Sequence, residues 1–330
     1  MKNAQKMLAA SAAALVLASG LAAGDASAQE FALRFQSSDP AGNPNFELKQ
    51  EWAERVAERT NGGLEIQVFH SAQLGVEEDI IEQIRQGANI GQNTDAARLG
   101  NYVPGIAVVN GPYFVSSAEQ AFSLADAPTM QGWLDELATQ HGIRVVCFDW
   151  VQGFRNFFTN EEIRTPADLE GLRIRTPPAP IWQESIRALG AEPTAMAFGD
   201  VYPGLQQRAI DGAELTYPNI TAGNLNEVLD VANETKHILL VNFQIVSSQW
   251  FDGLPAEYQA ALTEECRAAG QATSAEIAQA TEAAKQKLIE AGMTIVEDVD
   301  MEAFRAAGET AYEALGLSEE KAALQAEIGG

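Results

Sequence analysis

The sequence predicts an α/β protein built from two lobes of similar design. Three observations carry this prediction. Strand and helix patterns alternate along the chain, the alternation restarts after Trp150, and 330 residues usually exceed what one hydrophobic core serves. Because no repeat or low-complexity linker separates the halves, we expect ordered segments to cross between the lobes.

The first residues have the features of an export signal. Lys2 and Lys6 precede an apolar run over 7–21, and Ala26-Ser27-Ala28 supplies the small residues of a cleavage site. The run is too short, and too often interrupted by Ser and Gly, to anchor stably in a bilayer of about 30 Å. We expect the cut after Ala28, and a mature protein that is not inserted in a membrane. The periplasm is the expected location, with secretion as the alternative.

The first half alternates strands with helices. Apolar residues at three- and four-residue spacing, such as Phe46, Trp52 and Val56 after a capping Asn45, indicate helices, whereas strict alternation indicates strands. The predicted order is strand 33–36, helix 45–61, strand 64–68, helix 80–87, strand 106–109, helix 131–140 and strand 143–148. This order predicts parallel strands covered by helices.

The second half repeats the pattern and adds a long helix. The predicted order is strand 154–159, a helix start at 165–166, strand 172–176, helices 181–189 and 201–209, and an apolar segment 236–250. From Ala256 to Ala291, only Gly270 interrupts a stretch rich in alanine, glutamate and lysine. At about 1.5 Å per residue this helix would be about 54 Å long, so we expect it to run across both lobes. A coiled coil is the weaker alternative because the apolar positions keep no heptad.

Composition and motifs exclude several functions. The formal net charge of −25 argues against nucleic acid as a partner, because a protein that displaces phosphate counter-ions needs a basic face. The three histidines form no zinc pattern, and no serine-hydrolase or phosphate-loop motif is present, so we expect no cofactor, no metal and no enzymatic activity. Cys147 and Cys266 could pair in an oxidising compartment, but we expect two unpaired, buried thiols.

One segment offers a binding chemistry. In residues 171–178, alternation places Leu172 and Ile174 on one face of a strand and Arg173 and Arg175 on the other. Arg175 lies nearest the carboxyl end of this strand, the edge at which open α/β sheets bind ligands. An arginine there presents a planar fork to a carboxylate. The alternative is an ion pair with an acidic neighbour.

A series of short motifs resembles the solute-binding proteins of tripartite ATP-independent periplasmic (TRAP) transporters, of the C4-dicarboxylate-binding type. Their joint order, over nearly the whole mature chain, is more specific than any single motif. They are residues 68–69 (VF), 73–75 (QLG), 84–87 (IRQG), 102–104 (YVP), 153–155 (GFR), 168–175 (DLEGLRIR), 181–185 (IWQES), 193–196 (PTAM), 201–202 (VY) and 210–214 (IDGAE).

The resemblance implies a periplasmic binding protein fold of two lobes, joined by crossing hinge strands and a long helix, that closes on a small organic anion. The implied boundaries are 29–152 with 241–280 for the first lobe, and 153–240 with 281–330 for the second. Arg175 matches the arginine that binds the substrate carboxylate, and Arg155 a second polar contact. Phe198 matches an aromatic contact, and Thr94 and Trp150 match cleft-facing segments. The implied partners are the membrane subunits of a TRAP permease.

The resemblance fails at one position. Many members have an asparagine that binds the ligand where this chain has Leu215. The substitution implies a ligand with fewer hydroxyl groups at this point. Phe157 or Phe158, if one of them faces the cleft, would imply the same. Thr216 is kept as a candidate contact. Glu214 matches either a cation ligand or a structural hydrogen-bond acceptor.

The anion itself stays open after this comparison of motifs. A C4-dicarboxylate, a sugar acid, a keto or hydroxy acid, an aromatic acid and a sulfonate all remain. The rival functions are a binding protein for an ATP-driven importer or a sensor, a secreted α/β enzyme, and a structural secreted protein.

Overall fold

A computed structural model describes residues 31–329, so the predicted signal segment 1–28 lies outside the described residues. Within them, nine strands form one mixed sheet in the order β2-β1-β3-β8-β4-β7-β5-β6, with β9 beside β8. The strands are β1 (Phe31–Gln36), β2 (Leu64–Phe69), β3 (Ile90–Asp95), β4 (Ile143–Thr159), β5 (Arg173–Thr176), β6 (Glu192–Ala195), β7 (Gly212–Leu215), β8 (Val231–Ser247) and β9 (Thr294–Val296).

Helices cover both faces of this sheet. Those of the described part of the chain are α1 (Pro44–Arg59), α2 (Glu77–Arg85), α3 (Ala96–Leu99), α4 (Ala118–Ser123), α5 (Pro128–His141), α6 (Pro180–Ala188), α7 (Val201–Gln206), α8 (Tyr217–Ala222), α9 (Ser248–Asp252), α10 (Ala256–Glu290), α11 (Met301–Leu315) and α12 (Ser318–Ile328). The alternation of strand and helix in each half therefore follows the predicted α/β pattern.

The two long strands β4 and β8 form the centre of the sheet. They pair antiparallel over nearly their whole lengths, and register shifts interrupt the pairing at four places between Val145 and Phe157. Strands β1–β3 lie on one side, which we call the first lobe, and β5–β7 lie on the other, the second lobe. Each lobe has the predicted parallel pairs. In addition, β8 pairs antiparallel with β3 and β4, which the alternation of strands and helices did not predict.

Helix α10 crosses both lobes, as its length predicts. Its first half packs on α1 and β4, and its second half contacts α8. Leu262 and Cys266 are buried with Trp52 in a cluster of the first lobe, whereas Ala284 and Leu288 are buried in one of the second.

Two local predictions are corrected by the structure. Residues 106–109 are not a strand but part of a buried 3-10 helix, Pro104–Asn110, whose backbone is satisfied by local hydrogen bonds such as that from Gly111 N to Val108 O at 3.0 Å. A short, buried apolar run does not by itself distinguish the two conformations. Cys147 and Cys266 form a disulfide, with Cα atoms 6.0 Å apart, because α10 packs directly on β4. The expectation of unpaired thiols was wrong.

The C-terminal helices return across the molecule. Helix α11 packs on α6 of the second lobe, but α12 packs on α5 of the first. The hydroxyl of Thr129, at the start of α5, donates to Glu327 Oε1 at 2.6 Å. The implied assignment of 281–330 to the second lobe therefore does not describe α12, and the remaining boundaries stay predictions.

Candidate functional site

A small polar cavity of about 60 Å³ lies where the two lobes face each other. The carboxyl ends of parallel strands from both lobes meet there, as expected for ligand sites of open α/β sheets. The crossing strands β4 and β8 contribute Gln152, Arg155, Leu240 and Asn242. The first lobe contributes Ser38, Asp39, Glu77, Asn93, Thr94, Asp95 and Arg98, and the second lobe Arg175, Pro177, Trp182, Phe198, Leu215 and Asn219.

Arg175 reaches this cavity from β5. The neighbouring Ile174 points the other way into an apolar core, so the strand places the guanidinium between the lobes. Arg175 is 3% exposed, and its Nε donates to Met196 O at 2.9 Å. Within residues 31–329, no carboxylate oxygen lies within 4.0 Å of its nitrogens. Burial, and then repulsion by Arg155, lower the pKa of Arg175 to about 9.

Arg155 also lines the cavity, but its charge has a partner. Its Nε donates to a carboxylate oxygen of Glu214, its Nη2 donates to the Glu214 carbonyl, and its guanidinium lies 4.7 Å from the Trp182 ring centre. The second oxygen of Glu214 accepts from Thr176 Oγ1 at 2.8 Å. Burial alone would raise the pKa of Glu214, yet Arg155 and then His237 hold it at about 2.

These contacts favour the second interpretation of Glu214, as a hydrogen-bond acceptor. Both of its oxygens are engaged in hydrogen bonds. Across the part of the chain that the structure describes, no group of three or more His, Cys, Asp or Glu side chains could hold a metal ion. Both contacts are those of a structural hydrogen-bond acceptor that orients Arg155.

Two buried polar side chains on the floor of the cavity lack partners. Thr94 Oγ1, on β3, and Asn242 Oδ1, on β8, make no hydrogen bond to any described residue, although Asn242 Nδ2 donates to Thr94 O at 3.1 Å. Buried polar atoms are normally paired, so these two are suited to a hydroxylated ligand. Sequence reasoning missed Asn242. Its signal was an amide inside the apolar run 238–246, which holds one other amide, Gln244.

The first-lobe wall is rich in carboxylates. Arg98 donates to Asp95 and to Glu78 (2.9 Å), and its Nη2 lies 2.5 Å from Glu77. Despite burial, these three acids raise the pKa of Arg98. Burial, with help from Asp95 and Glu78, raises the pKa of Glu77 above its usual value. One guanidinium thus faces three acids, and this wall is negative.

A hydrogen bond also links the two lobes beside the cavity. Trp182, on α6 of the second lobe, donates from Nε1 to Asp95 Oδ1 of the first lobe at 3.2 Å. The same indole ring lies under the Arg155 guanidinium, so one side chain connects the acidic wall to the arginine side.

The remaining predicted residues divide between cavity and core. Phe198 is half-buried and Leu215 is buried, and both line the cavity. Trp150 does not, because it is fully buried between β4 and α10, where its Nε1 donates to Cys266 O at 3.2 Å. Thr216 is buried outside the lining and bonds to Asn219, which does line the cavity.

Neither phenylalanine of the pair in β4 points into the cleft. Phe157 stacks on His237, with ring centres 4.4 Å apart, and Phe158 packs in the second-lobe core. Neither ring therefore meets the condition, facing inward, under which it would make the site less polar.

Comparison of this chain with known proteins finds similarity to solute-binding proteins in both sequence and structure. Residues 35–318 match the family described as bacterial extracellular solute-binding protein, family 7 (DctP). A solute-binding protein of Chromohalobacter salexigens is 30% identical over 276 residues, covering 83% of this chain and 81% of that protein. A TRAP periplasmic solute-binding protein of Actinobacillus succinogenes with bound L-galactonate superimposes with a TM-score of 0.85 at 29% identity, covering 90% and 99% of the two chains. One from Ochrobacterium anthropi with bound L-fuconate gives 0.86 at 27%, covering 91% and 100%.

Proposed function

The chain belongs to family 7 of the bacterial extracellular solute-binding proteins, and from this membership we propose that its cleft captures a hydroxylated organic monocarboxylate for a TRAP-type permease. The two-lobed fold is the one found in the similar TRAP proteins. Carboxylate capture fits the arginines at the junction of the lobes.

The observation that carries this proposal is the unpaired charge of Arg175. A buried guanidinium without a counter-ion costs several kcal/mol, so an empty closed cleft is disfavoured. A carboxylate that replaces the lost water makes charge-assisted hydrogen bonds of roughly 1.5–3 kcal/mol each. The ligand thereby shifts the population toward the closed form, because it binds that form more tightly.

The charges around the cavity favour a single carboxylate. Arg155 is already neutralised by Glu214, which leaves Arg175 as the uncompensated cation among the described lining residues. A second carboxylate would have to face the acidic wall of Glu77 and Asp95, where like charges repel.

The polar floor favours hydroxyl groups on the same ligand. Thr94 Oγ1 and Asn242 Oδ1 are unpaired and would accept hydrogen bonds from them. L-galactonate and L-fuconate, bound by two of the similar proteins, are hydroxylated monocarboxylates. We therefore propose a sugar acid as the substrate class.

The location and the membrane partner follow from the family. We propose a periplasmic protein cut after Ala28, because the features of residues 1–28 are those of an export signal. In residues 31–329, no helix is long and apolar enough to cross a membrane. The proposed partners are the TRAP membrane subunits, which take the ligand from the closed form without ATP.

The test is calorimetry with D-glucuronate, L-galactonate, L-fuconate and succinate. We expect at least one sugar acid to bind more tightly than succinate, and Arg175→Ala to weaken that binding at least tenfold, as one charge-assisted bond predicts. Arg173→Ala is the matched control, because Arg173 lies on the same strand but is exposed and paired with Asp211 at 2.8 Å.

Two results would contradict the proposal: succinate as the tightest ligand, or unchanged affinity in Arg175→Ala. Incubation with the bound acid should return it unchanged by mass spectrometry, because solute binding needs no covalent step. Turnover would favour the rival function of a secreted enzyme.

A further inference from the structure

A second, larger cavity adjoins the arginine site. It has a volume of about 240 Å³, against about 60 Å³ for the polar cavity. The two share Ser38, Glu77, Arg98 and Phe198 as lining residues, so they lie side by side. A ligand held at Arg175 therefore has space beyond Phe198.

The lining of this outer cavity is predominantly apolar. The first lobe supplies Ser38, Ser71 and the ion pairs of Arg98 with Glu77 and Glu78, as well as Pro40, Ala72 and Val76. The second lobe supplies an apolar wall that includes Phe198, Tyr202 and Leu225. A hydroxyl group that left water for such surroundings would lose hydrogen bonds, whereas an apolar group would gain by burial. Val76 is 49% exposed and is one of two exposed large apolar side chains among the described residues. A ligand group in the outer cavity would cover it.

The first-lobe wall of the outer cavity is held in a strained conformation. Ser71 and Ala72 have φ values of 52° and 53°, in the left-handed region that non-glycine residues avoid. Their amides donate to Asp39 O (2.8 Å) and Ser37 O (3.1 Å). Backbone strain of this kind persists where surrounding contacts over-determine it, so the wall is preformed rather than a loose loop.

The apolar surface continues inward along the second lobe. Leu215 and Pro177 line the polar cavity beside Arg175, and the surface runs from them past Phe198 to Tyr202. The opposite wall carries the unpaired Thr94 and the acids. The second lobe thus offers apolar surface next to Arg175, whereas the first lobe carries the hydroxyl group and the acids.

We infer that the ligand is a monocarboxylate with an apolar substituent, aryl or alkyl, that occupies the outer cavity while the carboxylate binds Arg175. This inference rests on the proposed function, since it concerns the distal part of the same ligand. It makes Tyr202 and Phe198 determinants of specificity for that substituent.

The test compares two pairs of probes that differ in one phenyl group: D-glucuronate with phenyl β-D-glucuronide, and lactate with 3-phenyllactate. We expect the phenyl member of at least one pair to bind roughly tenfold more tightly, as burial of an aromatic ring predicts. Equal or weaker binding of the phenyl member in both pairs, or no binding by either phenyl compound, would overturn the subsite.

Variants separate the subsite from the arginine site. Tyr202→Ala should reduce the affinity gained from the phenyl group at least threefold and leave the affinity for the unsubstituted acid unchanged. The reason is that Tyr202 lines the outer cavity but not the polar cavity. Tyr102→Ala is the control. The hydroxyl of Tyr202 donates to Glu227 at 2.7 Å, and that of Tyr102 likewise donates to a surface glutamate, Glu82, at 3.2 Å, but Tyr102 lines neither cavity. If unsubstituted acids bind in an Arg175-dependent way while phenyl compounds gain nothing, the proposed function stands and this inference fails.

Discussion

Arg173 and Arg175 show how position along one short strand decides the role of a side chain. They lie on the same face of β5, two residues apart. Arg173, at the amino end, is exposed and pairs with Asp211, whereas Arg175, at the carboxyl end, is buried between the lobes. The alternation of the strand is readable from the sequence, but the availability of Arg175 depends on which acids the fold brings near it.

Glu214 has a similar dependence on its surroundings, and it makes stability depend on pH. Its folded pKa of about 2 lies below the usual 4.5, so it stabilises the fold above pH 4.5, and this contribution is lost as pH falls toward 2. The shift corresponds to about 3 kcal/mol.

We therefore expect Glu214→Gln to lower the free energy of unfolding by about 3–5 kcal/mol at pH 7, because it leaves Arg155 buried without a counter-ion. The difference from the wild type should shrink between pH 4.5 and pH 2. Urea unfolding across this range measures it. Glu162→Gln is the control, since Glu162 is 51% exposed and its variant should follow the wild-type profile. A constant difference over the whole range would contradict the prediction.

At the scale of elements, α10 and the crossing strands set the distance between the lobes. Gly270 lets the helix lie against β4: an added Cβ would come within 2.7 Å of Trp150 Cδ1 and 2.8 Å of Asp149 O. Because one of these atoms belongs to the backbone, relief would require α10 and β4 to move apart. The glycine is thus explained by close packing rather than by a break in the helix.

We predict opposite effects for two glycine-to-alanine changes. Alanine normally stabilises a helix interior by about 1 kcal/mol relative to glycine. Gly132→Ala in α5, where an added Cβ meets nothing within 4 Å, should show that gain. Gly270→Ala should instead lose about 1–3 kcal/mol through overpacking. Chemical unfolding of both variants, with the disulfide intact, is the measurement, and a gain at Gly270 would show that the contact with β4 is loose.

The crossing strands explain why local patterns divided one element into two. The sequence predicts separate strands at 143–148 and 154–159, whereas β4 is continuous over Ile143–Thr159. Register shifts and the positive φ of Gly153 (93°) interrupt its regular alternation in between. Pairing with β8 keeps the irregular part of β4 extended. Because β8 is distant in sequence, the local pattern does not reveal this pairing.

At the scale of the whole molecule, the Cys147–Cys266 disulfide closes a loop across a sequence separation of 119 residues. A cross-link of this span restricts the unfolded chain and typically contributes about 2–5 kcal/mol. It also joins β4 to the first half of α10, so this part of the helix moves with the first lobe.

We expect reduction by dithiothreitol to lower the free energy of unfolding by about 2–5 kcal/mol, while Cys147→Ala/Cys266→Ala does not respond to the reductant. Urea unfolding with and without dithiothreitol, with reduction checked by mass spectrometry, is the measurement. An unchanged midpoint in fully reduced wild type would refute the stabilising role.

The sequence by itself determined the α/β class, the long helix and the place of Arg175 near the carboxyl end of a strand. These features depend on the spacing of neighbouring residues, which the chain displays directly. It also supplied the motifs that the family comparison bears out.

Only the tertiary structure decided which residues meet at the site. It paired Arg155 with Glu214, left Thr94 Oγ1 and Asn242 Oδ1 without hydrogen-bond partners among the described residues, and placed Trp150 in the core. Each of these outcomes is a contact, or a missing contact, between segments far apart in sequence. The spacing of neighbouring residues does not predict such contacts, because the packing of the two lobes around β4, β8 and α10 determines them.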